Sequence, residues 1–444
     1  MSKPFAHNSD SAMSSGRAWP PSLWAAVTPP GPDCPALGGT HRSDVVVIGA
    51  GFTGLSAALA LAEAGVRVTL IEAVTPGWGA SGRNNGQVIP TLTRPDPDDI
   101  IARHGEAGER FVRLLRDSAQ TTFELIRSRN IAAEAEQTGW VQPVHTPGRM
   151  AIAERRFRQW QRHGAPVALM GREEVEAATG SDLWYGGWTN PTGGHVNPLA
   201  LARGLARSVI GAGGVIFGSS PAKSMRHDGK TWNVETPSGR VVADALLLAT
   251  NAYSGEISRT LAPNIAREVV PVLSWQMATE PIGDNARAVV LPGRPALSDT
   301  HGDLHFARYD ARHRLVTGGA LVVSAGGAAR LKPRIGARIR RMFPSVGDVR
   351  FDYVWNGYIG MTTDYMPRFH RLGPNGFAWV GCNGRGVALS IALGREFAKA
   401  LTGTPQSDLA LPFTDPKPLP LHDVVRLVAP LKLVEVRWRD AREI

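Results

Sequence analysis

Gly49, Gly51 and Gly54 stand in the spacing G-x-G-x-x-G, and Glu72 follows the first of them by about twenty residues. Those residue types at that spacing suit one task, holding the pyrophosphate and ribose of a dinucleotide. The first glycine allows a tight turn, the second lets backbone approach the pyrophosphate, and the third lets a helix pack close to a strand. An acid at the distance of Glu72 suits a ribose hydroxyl. The triplet alone is weak evidence, so the elements around it decide. Val45 to Ile48 is a continuous apolar run, as in a parallel strand covered on both faces. Thr53 to Ala64 reads as a helix whose N-terminal amides and dipole face the phosphates. Val66 to Ile71 reads as the next strand. Strand, turn, helix, strand and acid in that order predict dinucleotide binding, with Phe52 and Thr53 inside the binding set.

Two further glycine-rich turns follow, and the amides of the second could serve another part of the same ligand. One is Gly77-Trp-Gly-Ala-Ser-Gly-Arg-Asn-Asn-Gly-Gln. The other follows the apolar strand Gly376-Phe-Ala-Trp-Val-Gly and reads Cys382-Asn-Gly-Arg-Gly-Val, with a helix from about Ala388 to Leu401 behind it. No nucleophile elbow, P-loop or zinc-hydrolase signature is present. The histidines show no metal-ligand spacing, so no metal is expected. His195 reads as a capping or surface residue rather than a catalytic one. Cys34 and Cys382 lie far apart and suggest neither a disulfide framework nor a zinc site, in keeping with a reducing compartment. Cys382 reads as a small buried residue of its turn.

The remaining chain must position these turns. Its 444 residues suffice for two domains, and 43% apolar with 20% charged residues is ordinary for a globular protein. A net charge of +10 and pI near 10 invite a nucleic-acid reading. The charge is spread, however, and the densest run, Arg330 to Arg341, lacks interleaved aromatics and reads as a solvated helix face. The N-terminus has no signal-type apolar core. Val45 to Ala62 is apolar enough to mimic a membrane span, but its glycines break it. A cytoplasmic protein with no transmembrane segment follows as the expectation. Residues 98 to 136 read as helical, and 140 to 190 as short strands and loops. Asn197 is a good N-cap and Pro198 suits the first helical position, with an apolar stripe through Val209. Strands are expected at Val215 to Phe217, Ala243 to Ala249, Glu268 to Val272, Leu304 to Arg308 and Arg314 to Gly319.

Asp44 to Glu72, the Gly77 loop, Trp355-Asn-Gly-Tyr-Ile and Gly381-Cys-Asn-Gly-Arg-Gly-Val together resemble the FAD-dependent D-amino-acid oxidase superfamily. Pro271-Val-Leu-Ser-Trp-Gln-Met-Ala-Thr-Glu-Pro, Arg314-Leu-Val-Thr-Gly-Gly and Trp438-Arg-Asp are similar to its gamma-glutamylputrescine oxidoreductase-like amine oxidoreductases. The resemblance runs from about residue 20 to the end. It implies an α/β fold, α+β overall. A Rossmann-type FAD-binding domain is assembled from residues 41–92, 195–262 and 351–412, and a strand-rich substrate domain from 93–194 and 263–350. Residues 1–40 would be an irregular arm and 413–444 a tail.

The resemblance implies that Gly49, Gly51 and Gly54 face the FAD pyrophosphate and Glu72 the adenosine ribose. Ser81, Gly82 and Arg83 would line the loop near the phosphates and flavin. Ala222 would meet adenine through its backbone, and Thr250 would end the strand beside the cofactor. Gly384, Arg385, Gly386 and Val387 would present amides to the flavin pyrimidine edge. There a helix N-terminus stabilises the negative charge of reduced flavin. Three departures stand out. Asn85 replaces a glycine of the family pattern, though Asn tolerates left-handed backbone. Ala388 stands where some sarcosine-oxidising relatives carry Lys. Ile359 stands where D-amino-acid oxidases place a carboxylate-binding Arg, which argues against ordinary D-amino acids. No His or Cys occupies a recognised tether position, so noncovalent FAD is expected.

Arg308 follows an apolar strand and suits either a bidentate grip on a substrate carboxylate or a structural salt bridge. Trp355 and Tyr358 either wall the substrate pocket or pack the domain interface. The expected activity is oxidation of a C–N bond in a small-molecule amine or amino-acid derivative, with oxygen or a respiratory carrier as electron acceptor. One alternative is an FAD-binding subunit of a larger dehydrogenase, which turnover by the isolated chain would exclude. The other is a tRNA-modifying flavoprotein, which salt-dependent RNA affinity would support. The chain lacks the aromatic-basic stripe for that role, and no nucleic-acid partner is expected.

Overall fold

The computed structural model describes residues 18–443. An eight-stranded sheet forms the nucleotide-type layer. Its main path runs Arg368–Gly373, Gly376–Val380, Gly239–Leu248, Gly39–Ile48, Val68–Ile71 and Val215–Phe217. Five of these lie parallel to a neighbour, about the central Gly39–Ile48 strand, in register Ile48 to Leu248 and Ile48 to Ile71. Gly376–Val380 joins parallel beyond Leu248. These strands are buried on both faces, which is why their apolar runs do not alternate.

The helices Phe52–Glu63 and Gly386–Leu401 pack together on this sheet, and the contact is very close. A Cβ on Gly394 would lie 2.6 Å from Thr53 O, and Ser56 Oγ donates to Ile391 O at 2.7 Å. The two glycine turns that begin these helices are thereby brought side by side. The apolar Val45 to Ala62 run divides into strand and helix, and no helix of the described residues is long and apolar enough to cross a membrane.

A second sheet of eight strands stands against the first layer, in the order Phe351–Met361, Val270–Pro281, Arg314–Gly319, Phe306–Tyr309, Ala296–Ser298, Trp140–Pro143, Gly187–Asn190 and Ala168–Met170. Gln87–Val88 and Gly194–His195 form a small ladder of their own. Four expectations need correction. Phe351–Met361 pairs along its whole length with Val270–Pro281, so these residues belong to the strand-rich sheet and not to the nucleotide-type layer. The stretch 140–190 contains two helices, Met150–Arg162 and Arg172–Thr179, whose polar faces hid a narrow apolar stripe. The helix after residue 97 ends at Ser128 rather than 136, and Gly105 kinks it at φ +55°. Of the expected irregular arm, residues 1–17 lie outside the described residues. Residues 18–40 carry a capped helix, Leu23–Val27, whose Leu23 and Trp24 are fully buried. Arg203 holds it by donating to Thr28 O and Pro29 O.

Candidate functional site

The carboxyl ends of four adjacent parallel strands carry the loops in question: Glu72, Gly49, the Thr250–Tyr253 turn and Gly381. Open α/β sheets place their ligands at this edge. The sequence alone could not show that residues 72, 49, 250 and 381 share it.

The fingerprint glycines are required by contact. A Cβ on Gly54 would sit 2.0 Å from Gly49 O, and one on Gly51 would sit 3.0 Å from Ser81 Oγ. Gly49 itself has φ +106°. Ser81 Oγ accepts the Phe52 N–H at 2.9 Å, tying the second glycine loop to the first helical turn. The Glu72 carboxylate accepts N–H groups of Ala50 at 2.8 Å and Val74 at 3.1 Å, so it sits within the first turn. Burial pushes that carboxyl up from its ordinary range, and the Ala50, Val74 and Ala73 amides pull the other way. Ala222 is buried, and Thr250 Oγ1 shares a hydrogen bond with Ser254 Oγ at 2.6 Å. Thr53 Oγ1 accepts from Trp379 Nε1 at 3.1 Å, so the side chain of this residue serves packing.

At the second turn, Gly384 has φ +82°, and a Cβ there would meet only Ile359 Cδ1, at 4.0 Å. Gly386 and Val387 open the following helix. Arg385 is a finding that its motif position did not reveal. Its guanidinium is buried over the Trp140 ring at 4.7 Å, donates to Thr91 Oγ1 at 3.3 Å, and pairs with no acid among the described residues. Burial, then the charge of Arg156, lowers its pKa to about 9.

The Arg83–Asn85 loop is clamped by three buried side chains from three separate elements. Trp355 Nε1 donates to Arg83 O at 2.7 Å, Trp24 Nε1 to Asn84 O at 2.8 Å, and Arg308 Nε to Asn85 O at 2.7 Å. The clamp is itself packed: Trp24 and Trp355 meet edge to face at 6.0 Å, and Arg308 lies 4.7 Å over Trp24. Arg308 also donates to Tyr309 O and Val196 O, each at 2.8 Å, and is 1% exposed. Burial lowers its pKa to about 10, against the pull of Asp310, Glu134 and Glu136. It is therefore a structural residue with no fork free for a substrate carboxylate. Trp355 is likewise fully buried and does not line the cavity described below. Asn85 is not left-handed; Gly86 takes φ +80° instead, and Asn85 Oδ1 accepts the Gln87 N–H at 2.9 Å. Trp24 lies in a Pro-rich stretch that gave no sequence signal for this role.

A cavity of about 340 Å³ adjoins that loop. Trp78, Arg83, Tyr253, Glu256, Leu273 and Tyr358 are among its lining residues, and Arg426 pairs with Glu256. Tyr253 meets Trp78 at 5.9 Å and Tyr358 at 5.7 Å, both edge to face. Arg83 stacks 4.2 Å from the Trp78 centroid and donates Nε–H to Trp78 O at 2.7 Å, while its buried Nη2 has no hydrogen-bond partner among the described residues. Burial lowers the Arg83 pKa. Of the three pocket candidates, Tyr358 alone lines this cavity. Tyr253, three residues beyond Thr250, sits in a strand-end loop, and only the fold brings its ring to this cavity.

His195 is neither a cap nor a surface residue. It is buried, with Nε2 3.0 Å from Arg294 O, and burial holds its pKa well below the ordinary value. Cys382 is buried as expected, with Sγ 3.9 Å from Gly360 O. The fold also gathers Asp299, His301 and His305, which sequence spacing did not suggest. Hydrogen bonds account for the group: the His301 ring lies 2.5 Å from Asp299 Oδ2, and Asp299 Oδ1 accepts the His301 and His305 amides at 3.0 Å. His301 stacks between His145 and His305 at 3.8 and 3.9 Å.

A largely parallel sheet, with helices on one face and the 224–235 strands on the other and two glycine turns at its carboxyl edge, beside a strand-rich domain, suits a flavoprotein-type oxidoreductase. Residues 44–400 match the model of the FAD dependent oxidoreductase family, and the chain belongs to that family. It is similar to gamma-glutamylputrescine oxidoreductase of Escherichia coli, 30% identical over 362 residues, 81% of this chain and 84% of that protein. It is 32% identical over 381 residues to a probable oxidoreductase, OrdL, of Haemophilus influenzae, covering 83% and 85%. Among solved structures, L-proline dehydrogenase from P. horikoshii superposes with TM-score 0.71 at 18% identity, covering 85% of this chain and 98% of that one. Glycine oxidase from Geobacillus kaustophilus does so with TM-score 0.68 at 20%, covering 82% and 96%. The chain is an FAD-dependent oxidoreductase. Its residues fit the cofactor: the Gly54 contact leaves no room for a side chain, Gly51 is tight against Ser81, the outer side of Gly384 is open, and Arg385 is a buried cation without an acid among the described residues.

Proposed function

We propose that this oxidoreductase removes two electrons from the C–N bond of an amine whose carboxylate, if present, lies far from the reacting carbon, as in gamma-glutamylputrescine-like compounds. Bound FAD supplies the two-electron acceptor, noncovalently held. The imine product takes up water to give an aldehyde or oxo acid plus amine, and oxygen or a respiratory carrier restores the cofactor. Gly49, Gly51 and Gly54 with Phe52 and Thr53 hold the pyrophosphate, Glu72 the ribose, and Ala222 the adenine. Ser81, Gly82 and Thr250 border the middle of the cofactor, and Gly384 to Val387 its pyrimidine edge. Arg385 adds positive charge there, where reduction creates negative charge. Neither thiol suits a covalent tether: Cys382 is buried in its turn, and burial, with Asp33 and Glu72 nearby, raises the Cys34 thiol to about 11.

The observation that carries the substrate reading is the aromatic cavity with the unpartnered Arg83 Nη2. Trp78, Tyr253 and Tyr358 suit an aliphatic chain, and Arg83 suits a carboxylate at its far end. With Arg308 consumed by backbone carbonyls and Ile359 apolar, Arg83 replaces Arg308 as the carboxylate partner. Steady-state turnover tests this: gamma-glutamylputrescine should be oxidised far faster than D-alanine. Brisk D-alanine turnover would overturn the substrate reading and leave the cofactor assignment standing.

A further inference from the structure

Twelve large apolar side chains are exposed among the described residues, and seven of them fall between Leu421 and Trp438. That concentration sets the C-terminal helices His422–Val428 and Lys432–Asp440 apart from the rest of the surface. Leu421, Val424, Leu427, Leu431, Val434 and Trp438 recur at steps of three or four and form one helical stripe. Leu427 is 79% exposed and Trp438 56%. The opposite face is firmly docked. His422 Nε2 lies 2.8 Å from Val269 O, Arg426 pairs with Glu256 at 2.5 Å, and Val436 is buried against Gly302. Docking thus fixes the stripe outward.

The neighbouring helix Gly327–Met342 carries Arg330, Lys332, Arg334, Arg340 and Arg341, all exposed, and no acid. Asp303 ties the two helices together, accepting Arg334 at 2.8 Å and Arg437 at 2.7 Å. An apolar stripe thus lies beside a cationic shoulder on a chain of net charge +10. A second copy seated on the stripe would bring two such shoulders together and meet like-charge repulsion. An anionic surface meets less repulsion, from the exposed Asp423 and from Glu435, which Lys432 already pairs.

We propose that this face docks on an anionic phospholipid surface. The six stripe residues enter the headgroup–acyl boundary and the Gly327–Met342 cations contact the headgroups. Trp438, with Arg442 3.9 Å from its ring, has the apolar body and polar rim that suit such a boundary. This inference is independent of the substrate reading.

The test is flotation of the full-chain holoprotein with vesicles of phosphatidylcholine alone or mixed equally with phosphatidylglycerol. Binding to the mixed vesicles only, weakening with salt, is expected. Lys332→Gln with Arg341→Gln should lower partitioning roughly 30-fold, from about one headgroup interaction per removed cation. Leu427→Ser with Leu431→Ser should lower it at least about 10-fold. Both double variants change exposed residues and should keep flavin content and melting temperature. Absence of binding to mixed vesicles would overturn the proposal, as would unchanged binding by the leucine variant. A dimer of the unmodified protein that the leucine variant dissolves would assign the stripe to a second copy and overturn it too.

Discussion

Replacing Arg308 by Ala separates the clamp described above from a substrate-binding role. The guanidinium donates to Asn85 O, Tyr309 O and Val196 O, and alanine leaves all three carbonyls without that donor. At about 1–1.5 kcal/mol net for each bond, the loss is about 3–5 kcal/mol. With unfolding entropy of about 2.1 cal/mol/K per residue, a chain of this size shifts by about 1 °C per kcal/mol when it melts as one unit. The melting temperature should therefore fall by roughly 3–5 °C, and by about twice that if half the chain melts independently. Gly86 sharpens the argument, because a Cβ there would lie 2.0 Å from Val196 O and 2.5 Å from Arg308 Nη2. The loop carrying Arg83 to Gly86 is fitted around the arginine, so its release should also loosen flavin retention. Scanning calorimetry with kcat/KM for two amines, one bearing a remote carboxylate and one lacking it, reads both effects. Similar losses on both substrates, with a lowered melting temperature, are expected. An unchanged melting temperature with loss confined to the carboxylate-bearing amine would refute the reasoning and make Arg308 a substrate contact.

Other perturbations have equally definite outcomes. Gly54→Ala should abolish flavin binding or folding, since its Cβ would overlap Gly49 O, and full flavin content in a folded variant would show the turn is misread. Arg83→Ala should lower kcat/KM about 10²-fold for the carboxylate-bearing amine and much less for its neutral analogue, with the melting temperature nearly kept; equal effects would make Arg83 structural. Burial lowers His145 to about 4 and His305 to about 3, in each case helped by neighbouring cationic groups. A depressed folded pKa means that the unfolded chain takes up protons first. Stability is therefore full above pH 6.5 and declines as pH falls from there toward 4. Melting temperatures measured across that window should drop, and His145→Gln with His305→Gln should flatten the drop; an unchanged slope in that variant would contradict it.

The first strand-turn-helix, Glu72 and the second glycine turn were legible because each is a local pattern with a fixed steric or electrostatic reason. Asn197 caps its helix as read, with Oδ1 accepting the Ala200 N–H at 3.1 Å. What was not legible depends on distant pairing. Nothing local says that Trp24 and Trp355, more than three hundred residues apart, grip adjacent carbonyls of one loop. The choice between a substrate grip and a structural salt bridge for Arg308 stays open in the sequence, which shows a side chain's donors but not the carbonyls that will meet them. Phe351–Met361 was placed in the wrong layer because a strand's period says that it pairs, not with which sheet. The sequence reading leaves 413–444 as a tail, and the outward stripe of its helices appears only once the docked face is known.

The most direct test of the central claim is anaerobic mixing of the purified holoprotein with a panel of amines while the flavin's visible absorbance is followed. Gamma-glutamylputrescine-like amines should bleach the flavin with one equivalent of substrate per flavin, and admitted oxygen or an added electron acceptor should restore the colour. A flavin that stays oxidised with every amine, in a protein that dithionite still bleaches, would contradict amine oxidation as the function of this chain.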